Sequence, residues 1–361
     1  MNSEDSIGII ELGSTSLKCL IFKINNNNNS EILSVTTTPS DGICNDVVMN
    51  LKKASDSIRF AISTAEKKAK VSLKKIHVIF EQPDFLCTRF SKHKKIDDSK
   101  IHRSDIEFLL NEAKKQLLLN DKNQSIIHIF NHNYIVDGKI FIEEPINVFA
   151  DTLTHEMTFI TAPKNNLRNV NQIFLNCDIE IERLISQTFA LGVELFNERE
   201  LQSGVVLINL GSKKISLGLF KNLALVHSIT FPVGIDHITN DISKVCSLNL
   251  EESLAIRNNT DFSSKNNKNL FDEKNLLKKS FFIDSKFRKI SKDLVFKIIR
   301  ARIDEILEMI KKQLKLTGFN FNSGTNFFLI GEGSNFINIQ EHCQNFFELN
   351  TIPVLGSAGL K

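Results

Sequence analysis

The chain has 361 residues, of which 42% are hydrophobic and 24% are charged. This length suits two domains of ordinary size, and the composition excludes a disordered chain. The formal net charge is only +3, from 45 basic and 42 acidic side chains, which gives no electrostatic case for binding nucleic acid. The six cysteines form no CxxC or Cys–His pattern, so reduced thiols are expected rather than a zinc or disulfide framework.

The N-terminal stretch MNSEDSIGII is acidic and then becomes apolar. It has neither the basic start nor the long apolar run of a signal peptide. No stretch of the chain approaches the roughly 20 apolar residues that a membrane-spanning helix needs. The sequence therefore predicts a cytosolic protein.

The first half of the chain predicts a buried sheet, a long helix and a small inserted unit. Apolar segments at 7–13 and 17–24 flank a glycine turn and are typical of strands in a sheet that is covered on both faces. Residues 48–70 carry apolar side chains at helical spacing. Residues from about 76 to 160 then predict a small α+β unit, with a helix at 105–119 and strands at 76–80, 126–130, 133–136 and 155–161.

The second half repeats the opening strand–turn–strand pattern. It follows predicted helices at 167–176 and 190–196, and its two strands lie at 205–211 and 215–220. The remaining predicted elements are helices at 235–246, 250–257, 291–314 and 337–347, with strands at 327–330 and 352–355. Two copies of one strand–turn–strand element indicate a molecule built from two related halves.

Three glycine turns each follow an apolar strand. They read Gly13-Ser14-Thr15-Ser16, Gly211-Ser212-Lys213-Lys214 and Gly331-Glu332-Gly333-Ser334. A glycine turn lets backbone amides converge on an anion, and neighbouring hydroxyls add donors. The third turn precedes a predicted helix, whose N-terminal amides favour a bound anion. Each turn alone is weak, and their order and spacing carry the prediction.

That order resembles the phosphate-1, phosphate-2 and adenosine elements of the actin/Hsp70/sugar-kinase superfamily. The resemblance implies an α/β fold, namely the two-domain actin-like (ribonuclease-H-like) fold with a small α+β subdomain inserted in the first domain. It also implies that a nucleotide lies in the cleft between the two domains.

Within the superfamily, the sequence resembles the FtsA family of bacterial actin-like cell-division proteins. The resemblance lies in the opening GIIELGSTSLKCLI, in the position of the insert, and in the stretches at 198–201, 234–242 and 302–306. It implies a first actin-like domain (1A) at 1–75 and 160–197, an SHS2-like inserted subdomain (1C) at 76–159, a second actin-like domain (2A) at 198–240 and 318–361, and a subdomain 2B at 241–317.

The resemblance implies that the chain binds ATP. The residues that match the family's nucleotide-binding positions are Glu11, Gly13, Ser14, Thr15, Ser16, Asn209, Gly211, Ser212, Lys213, Arg257, Gly331, Gly333 and Ser334.

The phosphate-2 turn departs from the family pattern. Asn209 and Ser216 stand where relatives carry aspartates, and such carboxylates hold Mg²⁺ or orient the attacking water. We therefore expect no catalytic residue, no firm Mg²⁺ site and at most slow ATP hydrolysis. Lys213 and Lys214 either contact a phosphate in place of the metal or are solvated hairpin residues.

The ribose-binding positions of the family are also incomplete. Arg257 matches the basic position, but Leu254 stands where a glutamate is expected. Glu251 or Glu252 would replace that glutamate from the preceding turn, or the two acids form the solvated start of a helix.

The family resemblance also implies partners and a location. The C-terminal peptide of FtsZ would dock on the helix at 291–314, where Arg302 matches a basic position and Arg300 lies beside it. Self-association into filaments and contacts with other division proteins are expected, at the cytoplasmic face of the inner membrane at the division site. The sequence stops at Lys361 without a basic amphipathic helix. We therefore expect either no membrane anchor, so that membrane contact is indirect, or a truncated sequence that lacks the anchoring helix.

Three alternatives share the fold, because fold does not determine function. The first is an actin-like ATPase of pilus assembly with a similar insert. The second is an ATP-dependent phosphotransferase, which needs a catalytic carboxylate that the phosphate-2 turn lacks. The third is an Hsp70-type chaperone ATPase, which would carry a peptide-binding domain after the fold.

Overall fold

The computed structural model describes residues 6–25, 29–261, 267–318, 320, 325–349 and 354–356. By its internal contacts the chain divides into a first unit, Met1–Glu198 with Lys221–Thr230, and a second unit, Arg199–Phe220 with Phe231–Lys361. Each unit contains its own β-sheet. No helix within these described ranges has both the length and the apolar character needed to cross a membrane.

The first unit begins with a five-stranded sheet and an inserted domain. Its elements in chain order are β1 (Ser6–Glu11), β2 (Ser16–Ile24), β3 (Ser30–Pro39), β4 (Ile43–Cys44), β5 (Val47–Val48), α1 (Leu51–Ala69), β6 (Lys75–Phe80), β7 (Leu86–Lys100), α2 (Arg103–Asn120), β8 (Gln124–Val136), β9 (Lys139–Phe141), β10 (Phe149–Pro163), α3 (Lys164–Leu175), β11 (Glu180–Ser186) and α4 (Gln187–Leu195).

The five-stranded sheet has the order β11-β6-β1-β2-β3. Strand β1 pairs antiparallel with β2 and parallel with β6, and β6 pairs parallel with β11. The apolar side chains Ile10, Leu17 and Ile21 are fully buried, as the near-continuous apolar pattern predicted. Helix α1 starts at the cap residue Asn50, whose Oδ1 accepts from the amide of Lys53 at 3.0 Å, and it packs on β2 and β3.

The inserted domain is a four-stranded sheet of order β7-β10-β8-β9, covered by α2. Leu109, Tyr134 and Leu153 lie in one of its apolar clusters. Strand β7 was not predicted, because its central run KHKKIDD is strongly charged. A strand at the edge of a sheet needs a partner on one side only, and lysines there prevent pairing with other chains.

Strand β8 is one continuous element where the sequence predicted two strands at 126–130 and 133–136. Strand β6, which falls within the range 76–159 expected for the insert, pairs with β1 and β11 in the five-stranded sheet. The segment Lys221–Thr230 also belongs to the first unit. In this segment the carbonyl of Val226 accepts from Thr158 Oγ1 at 3.5 Å, and Asn222 Nδ2 donates to Asn133 Oδ1 at 2.5 Å.

The remaining elements follow in chain order after α4. They are α5 (Glu198–Ser203), β12 (Val205–Leu210), β13 (Ile215–Lys221), β14 (Ala224–Phe231), α6 (Asp236–Cys246), α7 (Leu250–Asn258), α8 (Lys292–Leu316), β15 (Asn326–Ile330), α9 (Ile339–Phe346) and β16 (Val354–Gly356). The hairpin of the opening segment recurs here, since β12 pairs antiparallel with β13 and parallel with β15.

The second unit therefore repeats the topology of the first, with a hairpin whose first strand also pairs parallel with a later strand. This confirms the predicted mixed α/β class with two related sheets and an insert. The last predicted strand, at 352–355, is described from Val354 onward. The C-terminal residues 357–361, on which the expectation about a membrane anchor rests, lie outside the described residues.

Candidate functional site: two glycine-turn half-sites

The first half-site is the turn between β1 and β2. A Cβ on Gly13 would lie 2.5 Å from the carbonyl oxygen of Ser16, so only glycine fits this tight turn. Ser14 Oγ accepts from the amide of Asn45 at 2.7 Å, and the carbonyl of Thr15 accepts from the amide of Ser40 at 3.1 Å. The predicted residues 13–16 thus form one turn, and hydrogen bonds from the amides of Asn45 and Ser40 hold it in place.

Glu11, at the end of β1, is charge-paired inside this half-site. Its Oε2 lies 3.2 Å from Lys18 Nζ, and its Oε1 accepts from Gln187 Nε2 at 2.6 Å. Gln187 is the first residue of α4, directly after β11. Because ligands of α/β proteins bind at the carboxyl ends of parallel strands, Gln187 joins the candidate site. The sequence pattern did not indicate Gln187, because the charged residues of β11, whose sequence is EIERLIS, hide the strand that precedes it.

A buried carboxylate fixes the start of α4 and with it Gln187. Glu81 is 1% exposed, and its Oε2 accepts from Ser186 Oγ at 2.7 Å and from the amide of Thr188 at 2.9 Å. The amide of Glu81 in turn donates to Asp46 Oδ2 at 2.8 Å. A carboxylate that accepts from the free amides at a helix N-terminus is favoured by the helix dipole. This network positions the carboxyl edge of the sheet.

The second half-site is the turn between β12 and β13. A Cβ on Gly211 would lie 2.6 Å from the carbonyl oxygen of Lys214. The carbonyls of Gly211 and Ser212 accept from the amides of Ile235 at 3.0 Å and Asp236 at 2.9 Å. The start of α6 is therefore seated directly on the turn that contains Gly211, Ser212 and Lys213.

The third glycine turn packs against the second. Gly331 has φ 84°, and a Cβ there would lie 2.4 Å from Asn209 Oδ1 and 2.7 Å from the carbonyl oxygen of Leu210. A Cβ on Gly333 would lie 2.7 Å from Leu210 Cβ and 2.9 Å from Ile235 Cγ2. A side chain at Gly333 would thus meet the protein's own residues. The structure brings together Asn209, Gly211, Gly331 and Gly333 at one end of the second sheet.

The segment after the third turn differs from the prediction. A short 3-10 helix spans Glu332–Asn335, and α9 begins only at Ile339. Ser334 Oγ donates to the carbonyl of Gly331 at 2.7 Å, which closes the turn on itself. The helix predicted at 337–347 is α9, which begins two residues later than predicted.

Arg257 is buried and serves the second unit internally. Its Nη1 donates to the carbonyl of Ile235 at 3.2 Å, to Asp236 Oδ1 at 3.2 Å and to Thr239 Oγ1 at 2.9 Å. The side chain is 6% exposed, and its guanidinium carbon lies 5.9 Å from the ring centroid of Phe336. Arg257 thus joins α7 to the start of α6, next to the second glycine turn.

Glu252, one of the two candidates for the missing ribose-binding glutamate, faces away from solvent. Glu252 is 0% exposed. Its Oε1 accepts hydrogen bonds from the amides of Ile283, Asp284 and Ser285 at 2.7, 3.0 and 2.9 Å. Burial alone would raise the pKa of Glu252, but hydrogen bonds from Ser285, Asn249 and Asp284 lower it to about 2. Glu252 is therefore an ionised carboxylate that orders the 283–285 backbone.

Neither half-site, taken by itself, contains a cluster of carboxylates. Asn209 is uncharged, Ser216 follows on β13, and Glu11 is already paired with Lys18. Across the part of the chain that the structure describes, no three His, Cys, Asp or Glu side chains converge as a metal-binding group. The donor set present does not match the hard, anionic oxygens that Mg²⁺ prefers.

Comparison with known proteins identifies the relatives of this chain. Residues 86–161 match the family model described as the SHS2 domain inserted in FtsA. Cell division protein FtsA of Agrobacterium fabrum is 22% identical over 369 residues, an alignment that covers 98% of this chain and 82% of that protein. FtsA of Neisseria meningitidis is 24% identical over 346 residues, covering 95% of this chain and 82% of that protein. The chain is therefore similar to FtsA over nearly its whole length.

Solved structures agree with the fold of this chain. The PilM-PilN type IV pilus biogenesis complex matches with a TM-score of 0.63 at 10% identity and covers 98% of this chain and 91% of that chain. The ethanolamine utilization protein EutJ from Carboxydothermus hydrogenoformans matches with a TM-score of 0.51 at 9% identity, covering 99% and 86%. At these identities the matches concern the fold, and together with the SHS2 match they confirm the predicted actin-like fold with its insert.

The two arginines matched to the FtsZ-binding region of FtsA lie on α8. Arg302 Nε donates to Asp241 Oδ2 at 2.7 Å, and its Nη1 donates to Glu305 Oε2 at 2.7 Å. The Arg302 side chain is 25% exposed. The guanidinium carbon of Arg300, which is exposed, lies 5.8 Å from the ring centroid of Phe296. Arg302 therefore joins α8 to α6 and also presents an edge to solvent.

A groove of about 1000 Å³ runs through the first unit, between β8, α3 and β11. Its walls carry apolar residues, including Leu167, Leu184 and Phe189, together with the basic residues Lys164 and Arg168. Within the described residues, strand β11 pairs only with β6. A free strand edge beside basic side chains is suited to an extended segment that adds to the sheet by backbone hydrogen bonds.

Proposed function

We propose that the chain is a cell-division protein that binds FtsZ, assembles into actin-like filaments and helps organise or anchor the division ring at the inner membrane. The observation that carries this proposal is the similarity to FtsA over nearly the whole chain, with the SHS2 match at 86–161. The solved PilM-PilN complex shares the fold, but similarity of fold does not transfer function. Division is therefore favoured over pilus assembly.

The proposed test of this assignment is co-pelleting with FtsZ. Polymerised FtsZ should carry the full chain into the pellet, and FtsZ without its C-terminal peptide should leave it in the supernatant. A pilus-assembly role predicts the opposite selectivity, namely binding to PilN and none to FtsZ. Binding to PilN alone would reject the division assignment and support the alternative.

The second part of the proposal is that the glycine turns bind ATP with slow or no hydrolysis. Support for binding comes from the packing of Gly331 on Asn209 and of Gly331 and Gly333 on Leu210, and support for slow hydrolysis comes from the absence of charge at Asn209. Without a carboxylate to hold a metal or orient water, the chemical step lacks its electrostatic support. This argument also disfavours a phosphotransferase.

Two measurements test this proposal, one of ATP binding and one of ATP hydrolysis. We expect saturable binding of a fluorescent ATP analogue, with phosphate release well below the ~1 s⁻¹ that is ordinary for enzymes. Asn209→Asp restores a carboxylate with little change of shape. Binding of the ATP analogue to this variant should depend more strongly on Mg²⁺ than binding to the unmodified chain. Rapid Mg²⁺-dependent turnover by the unmodified chain would overturn the proposal for slow hydrolysis, and no nucleotide binding would overturn the ATP site.

A further inference from the structure

A surface segment of the second unit combines positive charge with apolar side chains. Residues 278–289, between α7 and α8, read KKSFFIDSKFRK. They contain five basic residues, one acidic residue, three phenylalanines and one isoleucine. We call this segment the basic–aromatic loop. Neither the glycine turns nor the FtsZ-matched helix uses it.

The loop has a defined shape because α7 holds it. The buried Glu252 carboxylate accepts three consecutive loop amides, those of Ile283, Asp284 and Ser285, and Ser285 Oγ donates to its Oε2 at 2.5 Å. Asn249 Nδ2 donates to Asp284 Oδ2 at 3.3 Å. The one acidic side chain of the loop is therefore held toward α7.

Apolar side chains of the loop remain outside the core. Ile283 is 66% exposed and Phe287 is 49% exposed. The rings of Phe282 and Phe287 meet edge to face with centroids 5.2 Å apart, and Lys279 Nζ lies 5.2 Å from the Phe287 centroid. Leu250, which follows Asn249 in the chain, is another exposed apolar side chain, at 58%. Exposed apolar groups held in place by a rigid loop usually mark an interaction site.

The cations around these apolar groups are available for an external anion. Among the described residues, no ion pair joins Lys279, Lys286 or Lys289 to a carboxylate. Lys279, Lys286 and Lys289 are all exposed. A large isoleucine side chain at the tip favours burial in an apolar medium, whereas a nucleic-acid surface would offer it only phosphates and base edges.

We propose that the basic–aromatic loop docks this protein on an anionic lipid bilayer. Ile283 and Phe287 enter the boundary between headgroups and acyl chains, where aromatic and apolar side chains are favoured. Lys279, Lys286 and Lys289 meet the negative headgroups, whose surface potential attracts basic segments within a Debye length. This contact is independent of the FtsZ assignment, because it rests on the loop alone.

Vesicle flotation of the full chain tests the proposal. The protein should float with vesicles that contain phosphatidylglycerol and stay at the bottom with pure phosphatidylcholine, and added salt should release it. The double variants Ile283→Ser/Phe287→Ser and Lys286→Glu/Lys289→Glu should each lower the affinity for anionic vesicles by at least about tenfold. Phe60→Ser is the matched control, because Phe60 is 58% exposed on α1 of the first unit and should leave flotation unchanged.

A tryptophan reporter distinguishes insertion from simple charge attraction. The chain contains no tryptophan, so Phe287→Trp introduces a single fluorophore at the loop. Its emission should shift to shorter wavelength when anionic vesicles are added, whereas Phe60→Trp should show no shift. Circular dichroism checks that every variant is folded.

Three results would overturn the membrane proposal. The first is equal flotation of the unmodified chain and both double variants. The second is flotation without any emission shift in Phe287→Trp. The third is binding to a duplex DNA or RNA oligonucleotide through Lys286 and Lys289 with no binding to anionic vesicles.

Discussion

Three histidines of the first unit, the buried His155 and the half-buried His128 and His227, are uncharged at neutral pH. Burial lowers the pKa of each to about 4. His155 is 1% exposed and stacks on Tyr134 with ring centroids 4.4 Å apart, and neither of its ring nitrogens has a hydrogen-bond partner in the described structure. Protonation of such a ring would place a charge in an apolar core.

The stability of the first unit should therefore fall on acidification. The unfolded histidines, with a pKa near 6.5, bind more protons than the folded ones between about pH 6.5 and pH 4. Stability is fully present above that window and is lost as the pH falls through it. His155→Phe should remove about 2 kcal/mol of the loss between pH 7.5 and pH 5. Urea unfolding at the two pH values measures this, and an unchanged pH dependence in His155→Phe would show that His155 is not responsible.

Gly331 and Gly138 allow backbone strain to be separated from steric overlap. Both have positive φ, 84° and 81°, but a Cβ at Gly138 would meet nothing within 4 Å whereas one at Gly331 would meet Asn209 and Leu210. Gly138→Ala should cost about 1 kcal/mol of unfolding free energy. Gly331→Ala should cost about 3 kcal/mol or more, because overlap adds to the strain. Equal losses in chemical denaturation would contradict the packing of the third turn on the second.

At the scale of elements, the ion pair between α8 and α6 changes how the proposed FtsZ contact must be tested. Arg302→Glu would place a third carboxylate beside Asp241 and Glu305, since Arg302 bonds to both. Loss of peptide binding in that variant would then combine a lost contact with a loosened helix pair. A charge reversal alone cannot separate the two effects.

Asp241→Ala supplies the matched control for Arg302→Ala. Both variants remove the Arg302–Asp241 ion pair, but only Asp241→Ala keeps the guanidinium that a peptide carboxylate can bind with two hydrogen bonds. We expect Arg302→Ala to weaken FtsZ-peptide binding at least tenfold, about 1.4 kcal/mol, and Asp241→Ala to retain it. An anisotropy titration measures both, and equal weakening would assign Arg302 a purely structural role.

At the scale of the whole molecule, the structure shows where the insert can be removed. Leu86 on β7 is registered opposite Thr161 on β10, so the chain enters and leaves the insert at neighbouring positions, about 5 Å apart at Cα. A deletion of 86–161 closed by a short Gly-Ser linker therefore keeps β6 in the five-stranded sheet. A deletion that began at Lys75 would remove β6 itself.

We expect the 86–161 deletion variant to fold and to remain monomeric. Head-to-tail assembly is a heterologous contact that propagates, and the FtsA resemblance assigns one side of that contact to the insert. With ATP, the full chain should sediment as filaments on lipid monolayers or in pelleting assays while the deletion variant stays in the supernatant. Filaments of the deletion variant would remove the insert from the assembly contact.

The sequence alone determined the repeated strand–turn–strand elements, the three glycine turns and the α-helices of the described structure other than α5. These follow from local rules, since apolar periodicity and glycine depend on neighbours within a few residues. The same rules missed strand β7, whose charged residues are tolerated because it lies at a sheet edge. They also divided β8 into two strands at its polar centre.

Only the tertiary structure decided the roles of individual polar side chains. Arg257, Glu252 and Arg302 matched ligand or partner positions by spacing, yet each bonds to groups 18 to 61 residues away. Gln187 entered the candidate site through its bond to Glu11, 176 residues earlier in the chain. Such partners are set by packing between distant segments, and a local sequence pattern does not encode that packing. The residue type determines which bonds a side chain can form, and the fold determines which groups lie close enough to form them.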